Sequence, residues 1–475
     1  MSARRPRDTH ESSGAPLGAT ASVMQMTYRS QSYAAPVVEA AVLTRIDGPA
    51  LIVRDDTQLA VLPGWRAAAE ADGLVRLTRI SSAAPREVRL DRPDPVTLEL
   101  FNRRFMGVAE AMGAALERTA HSVNIKERLD FSCALFDTDG GLVANAPHMP
   151  VHLGSMGASV RAVRDRRGTL WPGEAFALNN PYAGGTHLPD ITVVMPVFTR
   201  PEAQGPPDLF VAARGHHADV GGVQPGSMPP FSQTLEEEGI LLDALPIMRD
   251  GIFLEAEVRE ALLAGPWPCR APDRNLADLK AQLAACQAGA GTLSAMIRDQ
   301  GAVVVARYMG FVQDNAASAV RRALNRLSDG EAKVPMDGGG QIAVRLTLDP
   351  DRQGAEIDFC SSSDQAPTNF NAPSAIVDAA VLYVFRTLVD DDIPLNAGCL
   401  EPLRVHTRPG SLLAPAPPAA VVAGNVETSQ VVTDALFAAT GRLAPAQGTM
   451  NNFTFGNEAH QYYETICGGS GAGAD

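Results

Sequence analysis

Five of the nine histidines fall into three short runs, and the residues around them set what chemistry is open to the chain. The first run, Pro147-His148-Met149-Pro150-Val151-His152, carries two imidazoles four residues apart. The second, Gly184-Gly185-Thr186-His187-Leu188-Pro189-Asp190, sets an imidazole three residues before a carboxylate, with a proline stiffening the turn between them. The third, Arg214-Gly215-His216-His217-Ala218-Asp219-Val220-Gly221-Gly222, offers two more imidazoles and a second carboxylate after an apolar stretch. Neutral imidazole and carboxylate together suit a divalent cation of the zinc, manganese or iron type. H-x-x-D spacing alone serves a turn or cap equally well. Two such clusters after successive predicted strands, both beside glycine pairs, favour the metal. If the first run is extended, His148 and His152 point to one face and can touch substrate or add a ligand. As plain loop histidines they would bond backbone carbonyls instead.

Two further polar runs are candidates for holding substrate. Residues 124–130 (NIKERLD) place Lys126 and Arg128 where they could grip an anionic substrate or a phosphorylated intermediate, a guanidinium binding such oxygens through paired donors. A solvated helix end explains the same charges. Residues 425–430 (NVETSQ), led by Asn425, and residues 447–452 (QGTMNN) offer amides and hydroxyls that could bond an amide substrate. They could as well form turns and caps. No GxxxxGK[ST] motif occurs, no GxGxxG follows a strand, and no GxSxG elbow is present, so this chain shows neither a nucleotide cradle nor a serine-hydrolase nucleophile.

The elements that must position these residues read as mixed α/β. Residues 1–30, with Arg4, Arg5 and Arg7 among Ser, Thr and Gly, lack an apolar core and are expected to be a disordered tail, not a signal peptide. Residues 31–82 read as a small β module, with strands at 40–43, 50–53, 58–62 and 74–77 separated by Asp-Gly-Pro, Asp-Asp and Pro-Gly turns. Polar, proline-bearing residues 83–93 are a linker, and 94–475 form the main domain. Asp94-Pro95 starts a helix whose Phe101, Phe105, Val108, Met112 and Leu116 fall on one face. A hairpin over 131–145 turns at Asp139-Gly140-Gly141. Strands are expected at 175–178, 191–198, 209–213, 342–348 and 355–359, and helices at 276–287, 303–327, 374–388 and 431–440. The glycine-rich ending, 466–475, looks like an interruption within a domain.

Composition bounds the partners. With 45% hydrophobic residues and 475 in all, the chain can bury a substantial core. A formal net charge of -14 argues against nucleic acid, which needs clustered Lys and Arg. No eighteen-residue apolar run suggests a membrane span. Six scattered cysteines with no CxxC pair fit reduced thiols and a cytoplasmic location.

Taken in order, residues 124–130, 147–156, 182–190, 215–228, 275–289, 424–430 and 447–456 resemble the hydantoinase B/oxoprolinase family over 94 to the end. The wording of 118–130 (RTAHSVNIKERLD) and 424–430 (GNVETSQ) resembles the B half of fused 5-oxoprolinases, and the 31–82 module is similar to the end of the hydantoinase A half. The resemblance implies ATP-dependent opening of 5-oxo-L-proline to L-glutamate. In that scheme the actin-like A half, absent here apart from its tail, uses ATP to phosphorylate the lactam oxygen, and the B half completes hydrolysis with a divalent metal. It also implies that His187, Asp190 and His216 are the metal ligands and that Asp219 and His217 are catalytic, Asp219 orienting a ligand. The implied partners are a small lactam and an A-type subunit or half, and an oligomer is expected. Cys360-Ser361-Ser362-Ser363 departs from the Gly-Thr-Ser pattern of the family. N-methylhydantoin hydrolysis or ketone carboxylation on the same fold stands as an alternative, as does an inactive remnant that only binds a partner.

Overall fold

The computed structural model of the chain describes residues 22–28, 31–81, 89–146, 148–199, 205–446, 448–457 and 461–466. Contacts divide it into two compact units, residues 1–88 and residues 89–475.

The first unit is all β apart from one turn. Its strands are β1 (Ser22–Tyr28), β2 (Gln31–Glu39), β3 (Arg45–Asp47), β4 (Ala50–Val53), β5 (Gln58–Val61), β6 (Trp65–Ala69) and β7 (Val75–Arg79). They form sheets ordered β1-β2-β4-β5 and β3-β6-β7 around buried Leu43, Ile46, Ile52, Val61 and Ala67. Two expectations change. Residues 22–28, assigned to a disordered tail, pair in register with β2. This strand has no buried face (all its residues are exposed or half-buried), so the backbone ladder holds it and no apolar alternation announces it. The strand expected at 40–43 is a 3₁₀ turn at Ala40–Val42.

In the second unit, α1 (Pro95–Thr119) begins where Asp94 accepts a bond from the Thr97 amide, and it buries the expected apolar stripe. Then come α2 (Val123–Lys126), β8 (Phe131–Phe136), β9 (Leu142–Asn145), α3 (Pro150–Arg167), β10 (Ala175–Leu178), β11 (Asp190–Val197) and β12 (Leu209–His216). After these follow α4 (Leu235–Glu238), β13 (Leu245–Arg249), β14 (Ile252–Phe253), α5 (Glu255–Leu262), α6 (Pro272–Gln300) and α7 (Ala302–Leu324). A second sheet region adds β15 (Gly330–Pro335), β16 (Gln341–Leu348), β17 (Ala355–Asp358), α8 (Ser374–Thr387), β18 (Leu403–His406), α9 (Thr428–Thr440) and the hairpin β19 (Asn452–Gly456) with β20 (Gln461–Thr465).

The central sheet runs β14-β13-β10-β11-β12-β8-β9, antiparallel throughout. Both faces are covered, so β8, β10 and β12 are buried at every residue. On one face Leu153, Met156, Val160 and Val163 of α3 meet Phe136, Phe176, Val194 and Phe210. On the other face lie α1 and α6. The smaller sheet, β15-β16-β17-β18, shares its core with α8 and α9.

The run holding His148 and His152 is not extended as one reading had it. Pro150 occupies the first turn of α3, a position that costs no hydrogen bond, so His152 rides on the helix while His148 precedes it. Cys133, Cys269, Cys286, Cys360 and Cys399 are free thiols. Among the described residues no helix is long and apolar enough to cross a membrane.

Candidate metal centre

Strand register builds the centre. β11 begins at Asp190 and β12 ends at His216, and the two residues are direct partners in the ladder, as are Thr192 and Arg214 two positions in. Because side chains alternate along a strand, Asp190, Thr192, Arg214 and His216 all project to the α3 face. There they meet His152 of α3. The loop leading into β11 carries His187, and its shape needs glycine. Gly184 has φ +85°, and a Cβ there would strike the Ala158 carbonyl of α3, while one at Gly185 would strike the Asn179 carbonyl.

His187, Asp190 and His216 each offer a ligand atom, and these atoms all lie within 4.8 Å of one another in a buried setting. Asp190 Oδ1 stands 3.1 Å from His187 Nε2 and 3.0 Å from His216 Nδ1. Its other oxygen accepts from Thr186 Oγ1 at 2.9 Å and Asn425 Nδ2 at 3.2 Å and lies 3.3 Å from His152 Nε2. His187 Nδ1 sits 3.2 Å from the Val422 carbonyl, which can only accept, so this nitrogen carries a proton and Nε2 points to Asp190. A nitrogen lone pair facing a carboxylate lone pair at 3.1 Å is unstable unless a proton or a cation lies between them. His187 Nε2 and His216 Nδ1 share this one carboxylate oxygen, and a set of two imidazoles and a carboxylate fits zinc, manganese or iron.

Electrostatics favour an ionised carboxylate here. Burial pushes Asp190 upward, but His187 and His152 outweigh it and hold its pKa well below the ordinary range. Burial would lower His216, yet Asp130 and Asp190 hold it above its usual value. Behind them Arg214 is wholly buried and donates to the hydroxyls of Thr192 at 2.7 Å, Ser159 at 2.8 Å and Ser155. Burial presses its pKa down to about 10, which leaves it cationic at neutral pH, with Asp190 opposing the shift.

The residue that sequence reasoning passed over is Asp130. Its carboxylate reaches 3.9 Å from His216 Nδ1 and 3.7 Å from His152 Nε2, and its carbonyl accepts from the His216 amide at 3.0 Å. Leu129, at φ +56°, turns the chain so that Asp130 enters the sheet beside β12.

The other candidates lie elsewhere. His217 faces the α6 side, where its two nitrogens meet Gln282 Oε1 at 3.0 Å and Asn275 Nδ2 at 3.1 Å. No ring nitrogen remains to move a proton, which departs from the catalytic role expected for it. Asp219, expected to orient a ligand, instead accepts from the amides of Gly221, Gly226 and Arg270 and from the Arg270 guanidinium, so it organises its own loop. His148 accepts from the Cys133 amide and packs on Phe131. Burial, aided by His152, lowers its pKa to about 4, so it is neutral there. Lys126 is exposed, and Arg128 donates to Thr465. Asn425 does join the centre, donating to His187 Nε2 at 3.0 Å as well as to Asp190.

A second buried acid supports the centre from a distance. Glu238 accepts from the amides of Val421 and Val422 at 2.9 Å and from Ser232 Oγ at 2.9 Å. It thereby fixes the segment whose Val422 carbonyl holds His187. Burial raises its pKa to about 7 despite those bonds.

The fold is shared with two solved structures. ATP-dependent caprolactamase from Pseudomonas jessenii superposes with a TM-score of 0.67 at 22% identity, covering 78% of this chain and 66% of its own. Acetone carboxylase superposes with a TM-score of 0.64 at 17% identity, covering 75% of this chain and 49% of its own. Residues 94–475 match the hydantoinase B/oxoprolinase family, and the chain belongs to it. It is 45% identical to 5-oxoprolinase 1 of Arabidopsis thaliana and 44% identical to 5-oxoprolinase of Dictyostelium discoideum, each over 90% of this chain. That share exceeds residues 94–475 alone, so the likeness reaches into the β module. The chain spans about a third of the length of these relatives (35% and 34%).

Proposed function

We propose that this chain supplies the ring-opening half of ATP-dependent hydrolysis of 5-oxo-L-proline to L-glutamate, in concert with a hydantoinase A-type ATPase half. The observation that carries this reading is 40–45% identity to three proteins named 5-oxoprolinase, extending beyond the B domain, around a buried ligand set able to hold a divalent ion. A lactam carbonyl is a poor electrophile, and phosphorylation of its oxygen on the partner half makes it a better one. His187, Asp190 and His216 would hold the ion, with the Asp130 carboxylate 3.9 Å from His216 Nδ1 beside them. When bound, such an ion lowers the pKa of water and polarises an oxygen of the reacting group. The protein's own part is to fix geometry. Thr186 and Asn425 orient the Asp190 carboxylate, the Val422 carbonyl sets the His187 tautomer, and Arg214 balances the negative charge from behind.

The test is to combine the chain with an intact A-type subunit, ATP, a divalent metal and 5-oxo-L-proline, and to measure glutamate. Glutamate formation that needs all components supports the reading. Opening of N-methylhydantoin without any glutamate would transfer the site to the hydantoinase alternative.

A further inference from the structure

Arg214 is among the largest side chains that are wholly buried, and its hydrogen-bond partners among the described residues are three neutral hydroxyls. Burying a guanidinium is costly, and a carboxylate would offset that cost better than hydroxyls do. What the arrangement achieves lies in where the hydroxyls sit. Thr192, bonded to Nε at 2.7 Å, stands two residues beyond Asp190 in β11 and opposite Arg214 in the ladder. Ser155, bonded to Nη1, stands three residues beyond His152 on α3 and donates to the His152 carbonyl at 3.0 Å. Ser159, bonded to Nη2 at 2.8 Å, donates to the carbonyl of Gly184, three residues before His187. Arg214 itself stands two residues before His216 in β12. One guanidinium thus reaches every segment that carries His152, His187, Asp190 or His216.

Donor and acceptor roles follow from chemistry. A guanidinium has five N–H donors and no acceptor, so each hydroxyl bonded to it must accept and turn its own proton elsewhere. For Ser155 that proton goes to the backbone of α3 at His152, and for Ser159 it crosses to the glycine loop. The planar fork holds its acceptors at fixed angles, which the single point of a lysine ammonium cannot copy. We infer that Arg214 is the positioning residue of the metal centre: it locks α3, the glycine loop, β11 and β12 into one geometry, so that His187, Asp190 and His216 face one another before an ion arrives. It acts through Thr192, Ser155 and Ser159 and never as a ligand, having no lone pair to offer. A preset donor set selects an ion by geometry, and a loosened one loses affinity. Charge alone predicts otherwise. A cation near the site repels a divalent ion, so on that ground lysine would leave affinity where it is and a neutral residue would raise it. The inference rests on the metal reading of the cluster and is independent of the substrate.

The test measures zinc and manganese affinity of the full chain by competitive titration, with cobalt(II) absorption bands as a report of ligand geometry. Arg214→Lys keeps the charge and loses the fork. Its affinity should fall by about 10–100-fold, and its cobalt bands should shift. Ser159→Ala and Thr192→Val each remove one hydroxyl, and each should weaken binding roughly fivefold, the worth of one hydrogen bond. In the Arg214→Lys background these two changes should add little, because the link they cut is already gone. Ser362→Ala is the control. That serine is also buried and is bonded to the backbone of Ala343 in the smaller sheet, so its loss should leave affinity and cobalt bands unchanged. Native affinity in a folded Arg214→Lys chain would overturn the inference. Should that variant not fold, the two hydroxyl variants decide, and affinities matching Ser362→Ala would overturn it. Hydrogen exchange over residues 180–190 of the metal-free chain separates this inference from the metal reading. Faster exchange in Ser159→Ala, in a protein whose native form binds no divalent ion, sinks the metal reading and leaves the lock. A native chain that binds the ion, with variants that bind it equally, sinks the lock and leaves the metal reading.

Discussion

The two faces of the central sheet handle the same residue types in different ways. On the α3 face, Asp190, His187, His216, His152 and Asp130 crowd within a few ångströms, and the imidazole nitrogens converge on carboxylate oxygens. On the α6 face, His217 and Asp219 are each closed off by neutral amides, main-chain N–H groups or a single arginine. His216 and His217 are neighbours in the chain and differ by one step along a strand. That step decides whether an imidazole faces the ligand cluster or braces a helix. Polar burial is tolerable on the α6 side because each group is satisfied within the protein. On the α3 side two imidazole nitrogens share one carboxylate oxygen, an arrangement able to hold a divalent ion.

Variants on the two faces can break this contrast. His187→Ala removes one of the three proposed ligands and the anchor to Val422, so divalent-metal affinity should fall by more than the roughly 10–100-fold typical of outer-shell changes. Competitive titration against a chelating dye measures this, and unchanged affinity would dissolve the contrast. Glu238→Gln probes the support of the 421–425 segment through pH. Its carboxyl pKa is raised from the ordinary 4.5 to about 7, so its ionisation costs stability as pH rises through that window, by up to about 3 kcal/mol in all. Urea midpoints of the native chain should therefore fall relative to Glu238→Gln between these pH values. Parallel pH profiles for the two proteins would contradict the buried-acid reading. Asp130→Asn keeps shape and removes charge. It should weaken metal binding by about 10–100-fold while leaving thermal stability of the apo chain within about 1 kcal/mol. Finally, His217→Gln should cost about 1–3 kcal/mol of stability in urea through lost buried hydrogen bonds. A fall in its metal affinity would show that the α6 face is not separate.

Much of this arrangement was legible in the chain. The Asp94-Pro95 helix start, the 131–145 hairpin and strands at 191–198 and 209–213 follow from capping, turn and alternation signals, and the fold extends those two strands to take in Asp190 and His216. His187, Asp190 and His216 stood out because they cluster beside the glycine pairs 184–185 and 221–222, of which Gly184 packs against α3. Asp130 did not stand out, since Lys126, Glu127 and Arg128 make its run look like a solvated helix end. Only the pairing of Phe131 with Gly215 brings it beside His216. His152 was misplaced because its run reads as extended, although Pro150 at a helix start was a usable signal. Extending the β12 alternation from Ala212 through Arg214 would have put His216 and His217 on opposite faces, separating ligand from brace. Glu238 gives no local sign of this role, because the amides of Val421 and Val422 that it holds lie far along the chain.

The most direct measurement is the metal content of three purified chains by mass spectrometry: the native chain, His216→Ala and His217→Ala. One divalent ion per native chain, lost in His216→Ala and kept in His217→Ala, is the expected result. Equal metal content in both variants, or a native chain that binds no divalent ion when offered zinc, manganese or iron, would contradict the centre described here.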